Sequence, residues 1–229
     1  VSGCPLNDWN VSSVTSMSGM FYQAGNFNQD ISEWDVSNVT AMKWTFSQTN
    51  DFNGDISDWD VSSVTSMYSM FLAARAFNCD VSEWDVSSVT GMGQMFYAAD
   101  NFNQDIGTKT VSTGDSEQYT AWDVSNVTNM SGMFHSAGDF NQDLSKWVVS
   151  SVTNMNDMFS MAGAFNNGCD DDVSGCPLND WNVSSVTSMS EIFYKAGNFN
   201  QDISEWDVSS VTNMSEMFRS ASDFNQDLS

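Results

Sequence analysis

Carboxylates are the residues of this chain best placed to do chemistry. Its 229 residues carry 30 acidic side chains against 6 basic ones, a formal net charge of −24. Many recur at fixed spacing. Asp30, Asp55, Asp80, Asp105, Asp143, Asp202 and Asp227 form one series. Asp8, Glu33, Asp58, Glu83, Asp180 and Glu205 form a second, and Asp35, Asp60, Asp85, Asp123 and Asp207 a third. Hard cations take carboxylate oxygens, so stacked columns of this kind suit Ca²⁺. The competing reading is a set of solvated acidic faces, some of whose carboxylates accept backbone N–H groups at corners. The run Asp170, Asp171, Asp172 is a weak further Ca²⁺ candidate, again against a solvated loop. Cys169 and Cys176 flank it at a separation that suits a small disulfide loop in an oxidising compartment. Cys79 lacks such a neighbour and reads as a core-facing thiol.

Other chemistry finds no support. No calcium loop of the D-x-D-x-D-G kind, glycine-rich phosphate loop or metal-type Cys/His spacing is present. The single histidine, His135, has no nucleophile or carboxylate paired with it by the pattern. No catalytic residue is therefore assigned and an enzyme is not expected; nor is any cofactor other than Ca²⁺. The acidic field repels nucleic acid and anionic membrane surfaces. No apolar run approaches the 18 residues that insertion in a membrane requires.

The spacing of the carboxylates follows from a repeat. Trp9, Trp34, Trp59, Trp84, Trp122, Trp147, Trp181 and Trp206 each open a unit reading W-D-V-S-[SN]-V-T-x-M-x-x-M-F-x-x-A-x-x-F-N-Q-D-[IL]-S-x. Most gaps are 25 residues, and loop insertions near 107–119 and 167–175 lengthen the other two. A period of this length marks a stacked array, so residues 1–229 are expected to form a single elongated repeat domain of about eight coils. A longer period lies above it. Residues 173–229 repeat 1–57 at an offset of 172, and over the first 40 residues the copies differ only at Gly19/Glu191, Met20/Ile192, Gln23/Lys195 and Asn38/Ser210. The chain therefore reads as a fragment of a longer array of six-unit blocks.

Within a unit, counted from its Trp, the apolar constants at positions 6, 9, 12, 13 and 16 have helical spacing, and the constant serine at position 4 precedes them as an N-cap would. The alternating F-N-Q-D-[IL]-S reads as a short strand. The expectation is an α/β solenoid, with one short parallel strand and one short helix per 25-residue coil. All sixteen Phe fall at positions 13 and 19 and eight of nine Trp at position 1, so the core should be columns of like residues. The constant asparagine at position 20 should ladder between coils.

Departures from the pattern are candidate contact sites. Trp44 stands at position 11, usually small or polar, and is the interaction candidate. Asn38 and Asn126 are the better placed glycosylation candidates among the N-x-[ST] sequons. The first insertion, Gly107 to Tyr119, contains a turn signal and suits a hairpin.

In W-D-V-S-N-V-T-x-M-x-x-x-F, as in Trp34 to Phe46, and F-N-Q-D-I-S, Phe27 to Ser32, the unit resembles the BspA-like class of leucine-rich repeats. The resemblance implies a right-handed leucine-rich-repeat-like superhelix, an extracellular or cell-surface location and a role in adhesion or scaffolding. The expected function is a structural or adhesive protein whose tandem blocks build a fibre or appendage by self-association, end to end or laterally. The alternative is a module binding a surface protein or glycan, and a minor one is ice binding.

Overall fold

The computed structural model describes residues 6–113, 118–168 and 177–228. The expected α/β solenoid does not form. Among the described residues there is no α-helix; regular elements are one 3₁₀ turn, Leu6–Asp8, and two strands, β1 (Lys109–Ser112) and β2 (Gln118–Ala121). The coils do stack. Single parallel bridges join position 8 of each to the next, from Ser16–Ala41 through to Ser188–Asn213.

Competition for the N–H groups explains why the expected helix is absent. Met17, Gly19, Phe21 and Gln23 donate to the carbonyls of Ala41, Lys43, Thr45 and Ser47 in the next coil, while Met20, Tyr22 and Ala24 donate three residues back. Alternate N–H groups thus leave the coil, and an α-helix needs all of them inside. Linked turns result. Two of them place a positive φ at their third residue, as type II turns require: Gly19 and Gln23 in the first coil, Trp44 and Gln48 in the second, and their equivalents onward. Residues three apart still meet on the inner side, so the apolar spacing fits linked turns as well as a helix.

The expected N-cap is corrected with the helix. The position-4 serine instead receives an Asx turn: Ser37 N–H and Oγ both donate to Asp35 Oδ1, at 3.1 and 2.6 Å. The expected strand at F-N-Q-D-I-S is replaced by a side-chain ladder. Asn53 N–H donates to Asn28 Oδ1 (3.0 Å), Asn78 N–H to Asn53 Oδ1 (2.7 Å), and the series runs on to Asn225 and Asn200. The backbone donor that would pair a strand goes to an amide oxygen.

The core is the set of columns the repeat implies. Phe rings pair within a coil at 3.8 Å (Phe71–Phe77) and stack between coils at 5.7 Å (Phe71–Phe96). Trp122 and Trp147 stack at 6.3 Å. Each buried indole N–H finds a carbonyl, as Trp84 Nε1 does at Ile56 O (3.2 Å), so the large ring is buried without an orphaned donor. A threonine ladder runs up the outside: Thr40 N–H and Oγ1 donate to Thr15 O at 2.9 and 3.2 Å, and each later coil repeats this.

Candidate functional site

Most of the acidic columns are structural. Carboxylates at position 22 cap the serine two residues on: Asp30 Oδ1 accepts Ser32 N–H (3.1 Å) and Oγ (2.8 Å). Position 2 repeats the motif. The backbone N–H and then the hydroxyl of Ser32 and Ser82 hold the carboxyls of Asp30 and Asp80 below the ordinary aspartate range. For Asp35, Asp55 and Asp207 the serine hydroxyl comes first and its N–H second. Asp55 opposes the effect at Asp30 by repulsion, and the hydrogen bonds win. Among the described residues, no three His, Cys, Asp or Glu side chains converge as metal ligands would. Asp170, Asp171, Asp172, Cys169 and Cys176 lie outside the described residues.

The first insertion folds as the antiparallel hairpin β1–β2, Lys109 opposite Ala121. It is tied to the neighbouring corner by Tyr119 Oη donating to Glu83 O (2.6 Å) and Lys109 Nζ to Ser82 Oγ (2.9 Å). Between hairpin and coils lies an acidic cleft of about 470 Å³, bordered by Asp58, Asp60, Glu83, Asp85 and Tyr119.

Asn38 and Asn126 are exposed, but their Nδ2 atoms, where a glycan would attach, donate to Ser12 O and Ser87 O of the preceding coil, each at 2.9 Å. Cys79 is half-buried; Ile56 N–H donates to its Sγ (3.4 Å), and burial raises the thiol's pKa, which disfavours the thiolate. His135 stacks on Tyr97 at 4.3 Å, and burial pushes its pKa down against the pull of Asp157. Its Nδ1 is buried without a partner.

Trp44 is 45% exposed and adopts φ 57°, a conformation that a bulky side chain rarely takes. Tyr68 meets it edge-on at 6.0 Å. With Gly19 and Tyr22, which is 48% exposed, Trp44 lines an open cleft of about 420 Å³. Gln23 Nε2 bonds Tyr22 Oη (3.2 Å) and Gln48 Oε1 (3.3 Å) at its rim, and Tyr68 Oη donates to Gln94 Oε1 (2.8 Å). The single departure at Trp44 did not disclose Tyr22 and Gly19 as its partners. The signal for them was the clustering of differences between the two copies, at Gly19/Glu191 and Gln23/Lys195.

Stacked turn-built coils, joined by side-chain and backbone ladders and cored by aromatic columns, define a tandem-repeat protein without a catalytic constellation among the described residues. The chain belongs to the family described as Mycoplasma protein of unknown function, DUF285, which it matches over residues 2–110, 115–175 and 171–229. This match corrects the resemblance to BspA-like leucine-rich repeats: no leucine-rich-repeat family matches, and the coil lacks the strand and helix of one. Neither a curated protein nor a solved structure matches the chain significantly.

Proposed function

We propose that this chain is a non-catalytic structural module of an extracellular or cell-surface assembly, in which like coils join end to end. The sameness of the coil-to-coil junctions carries the reading. Inside the stack, N–H groups at positions 9, 11, 13 and 15 meet carbonyls at positions 8, 10, 12 and 14 of the next coil, from Met17 and Ala41 through to Met189 and Asn213. Each coil thus presents a row of N–H donors on one face and a matching row of carbonyls on the other, so like coils can meet as neighbours in the stack do. In the coil opened by Trp206, the exposed apolar side chains Met214 and Leu228 stand on the donor face. Contact between two different faces builds open filaments rather than closed rings.

The test is sedimentation velocity over a concentration series, with a Met214→Lys, Leu228→Asp double variant alongside. The expected result is growing head-to-tail oligomers for the wild type, with fibre diffraction near the ~4.8 Å coil spacing, and a monomer for the variant. A wild-type chain that stays monomeric throughout its soluble range overturns the reading.

A further inference from the structure

We propose that the cleft of Gly19, Tyr22 and Trp44 binds a neutral, β-linked, gluco-configured glycan. The floor is open because Gly19, at φ 67°, has no side chain; a Cβ there would touch only Tyr22 Cβ, at 3.9 Å. Tyr22 and Trp44 stand half-exposed on either side. The cleft volume of about 420 Å³ falls within the ~300–1,000 Å³ range of small-molecule clefts. An exposed aromatic pair with a few polar groups at its rim is the composition of a recognition surface rather than a core. A gluco-configured ring carries its hydroxyls equatorially, and a β-linkage is equatorial too, which leaves flat C–H faces to lie on aromatic rings in an open cleft. The hydroxyls then point to the rim, where the Gln23 and Gln48 amides both donate and accept.

Charge selects the neutral ligand. Despite the net charge of −24, positions 10 to 15 of the first five coils contain no carboxylate, and Lys43 is their one cation. An anionic polymer would be repelled by the molecule as a whole, and a cationic one would be drawn to the acidic corners instead.

The second copy of the block provides an internal control. There Glu191 replaces Gly19, Lys195 replaces Gln23 and Glu216 replaces Trp44, while the tyrosine is kept as Tyr194. Lys195 Nζ lies 5.0 Å from the centre of that ring, and the Arg219 guanidinium 5.7 Å. The same coil geometry is thus built with charged side chains at the equivalent positions. Three of the four differences between residues 1–40 and 173–212 fall in this short stretch.

Affinity electrophoresis of the chain through native gels containing laminarin or hydroxyethyl cellulose tests the proposal, with alginate as the anionic control. Gly19→Glu and Trp44→Glu are the variants, both taken from residues the fold already accepts at φ 57° and 56°. The expected result is retardation by at least one of the two glucans and none by alginate. Each variant should bind at least about tenfold more weakly, Trp44→Glu because it removes an aromatic anchor and Gly19→Glu because its side chain occupies the floor, with the melting temperature retained. Absence of retardation by both glucans overturns the proposal, as does retardation that the variants share. Self-association that Trp44→Glu abolishes, without glucan binding, would assign the face to a second copy of the chain and also overturn it.

Discussion

Replacing Asn103 by alanine tests whether the asparagine ladder holds neighbouring coils together. Asn103 Oδ1 accepts two hydrogen bonds from the next coil, Asn141 N–H at 2.9 Å and Gln142 Nε2 at 2.8 Å. Gln142 keeps its bond to Asn103 O at 3.0 Å whatever the side chain is. The substitution therefore removes two bonds, each worth about 0.5–1.5 kcal/mol net, and strands a partly buried backbone donor. The sum is about 2 kcal/mol. For a chain of this size that lowers the melting temperature by roughly 4–8 °C if unfolding is cooperative. Because each coil contacts mainly its neighbours, the loss should appear first as faster hydrogen exchange at the Asn141 amide. Asn103→Asp separates the ladder from simple packing. Among the described residues the Asn103 side chain acts only as an acceptor, and a carboxylate accepts equally well. Calorimetry and exchange should therefore place Asn103→Asp within about 1 kcal/mol of wild type and Asn103→Ala well below it. Equal effects of the two, or an unchanged Asn141 amide in the alanine variant, would refute the ladder as the source of inter-coil stability.

Acidification should destabilise the fold in two windows. His135 has a depressed folded pKa, so its contribution is full above the unfolded value near ~6.5 and falls as pH drops below it; melting temperatures between pH 7 and 5 should lose this slope in His135→Gln. The capped aspartates, depressed by their serine bonds, contribute above the unfolded value near ~3.9 and lose stability as pH falls through their folded values; a melting curve flat below pH 4 would contradict this. At the recurrent positive-φ positions no β-branched residue occurs, and Ala73, at φ 53°, should show why: Ala73→Val should cost about 1–3 kcal/mol, read as a lower denaturation midpoint, and a neutral result would remove strain as the selective factor.

The core was legible because burial depends only on which positions recur. Val36, Val39, Met42, Phe46 and Phe52 are buried at the positions the repeat marks as apolar. The secondary structure was not. The spacing of Val39, Met42 and Phe46 is shared by a helix and by linked turns, and no local signal tells which coil an N–H will serve. Trp44 and Gln48 hide the distinction further, since a positive φ is usually announced by Gly or Asn and here falls on a tryptophan and a glutamine. The strand was misread for a related reason. Alternation in Phe27 to Ser32 is genuine, but Asn28 offers its side-chain oxygen where a backbone carbonyl was expected. For the candidate site, Trp44 was visible as an exception, while its partners in the preceding coil became visible only when stacking brought position 11 of one coil beside positions 11 and 14 of the coil before.

The same ladders explain why any specific contact should sit on that face. Positions 1, 3, 6, 9, 12, 13, 16, 19 and 23 supply the core; positions 2, 4, 7, 20 and 22 supply Asx turns, the threonine ladder and the asparagine ladder. A change at position 7 or 20 breaks a bond to a neighbouring coil, one at position 2, 4 or 22 opens an Asx turn, and one in the core disturbs a stacked column. The turns over positions 10, 11, 14 and 15 are held from coil to coil by backbone bonds, as between Gly19 N–H and Lys43 O and between Gln23 N–H and Ser47 O, while side-chain bonds such as Gln23–Gln48 and Tyr68–Gln94 join only particular pairs of coils. Their side chains are free to vary without disturbing the stack, subject only to the positive φ at positions 11 and 15. In the two copies of the block that freedom has produced an open aromatic cleft in one and a charged surface in the other. A stack of near-identical coils can thus carry different surfaces along its length while the backbone bonds between coils are kept.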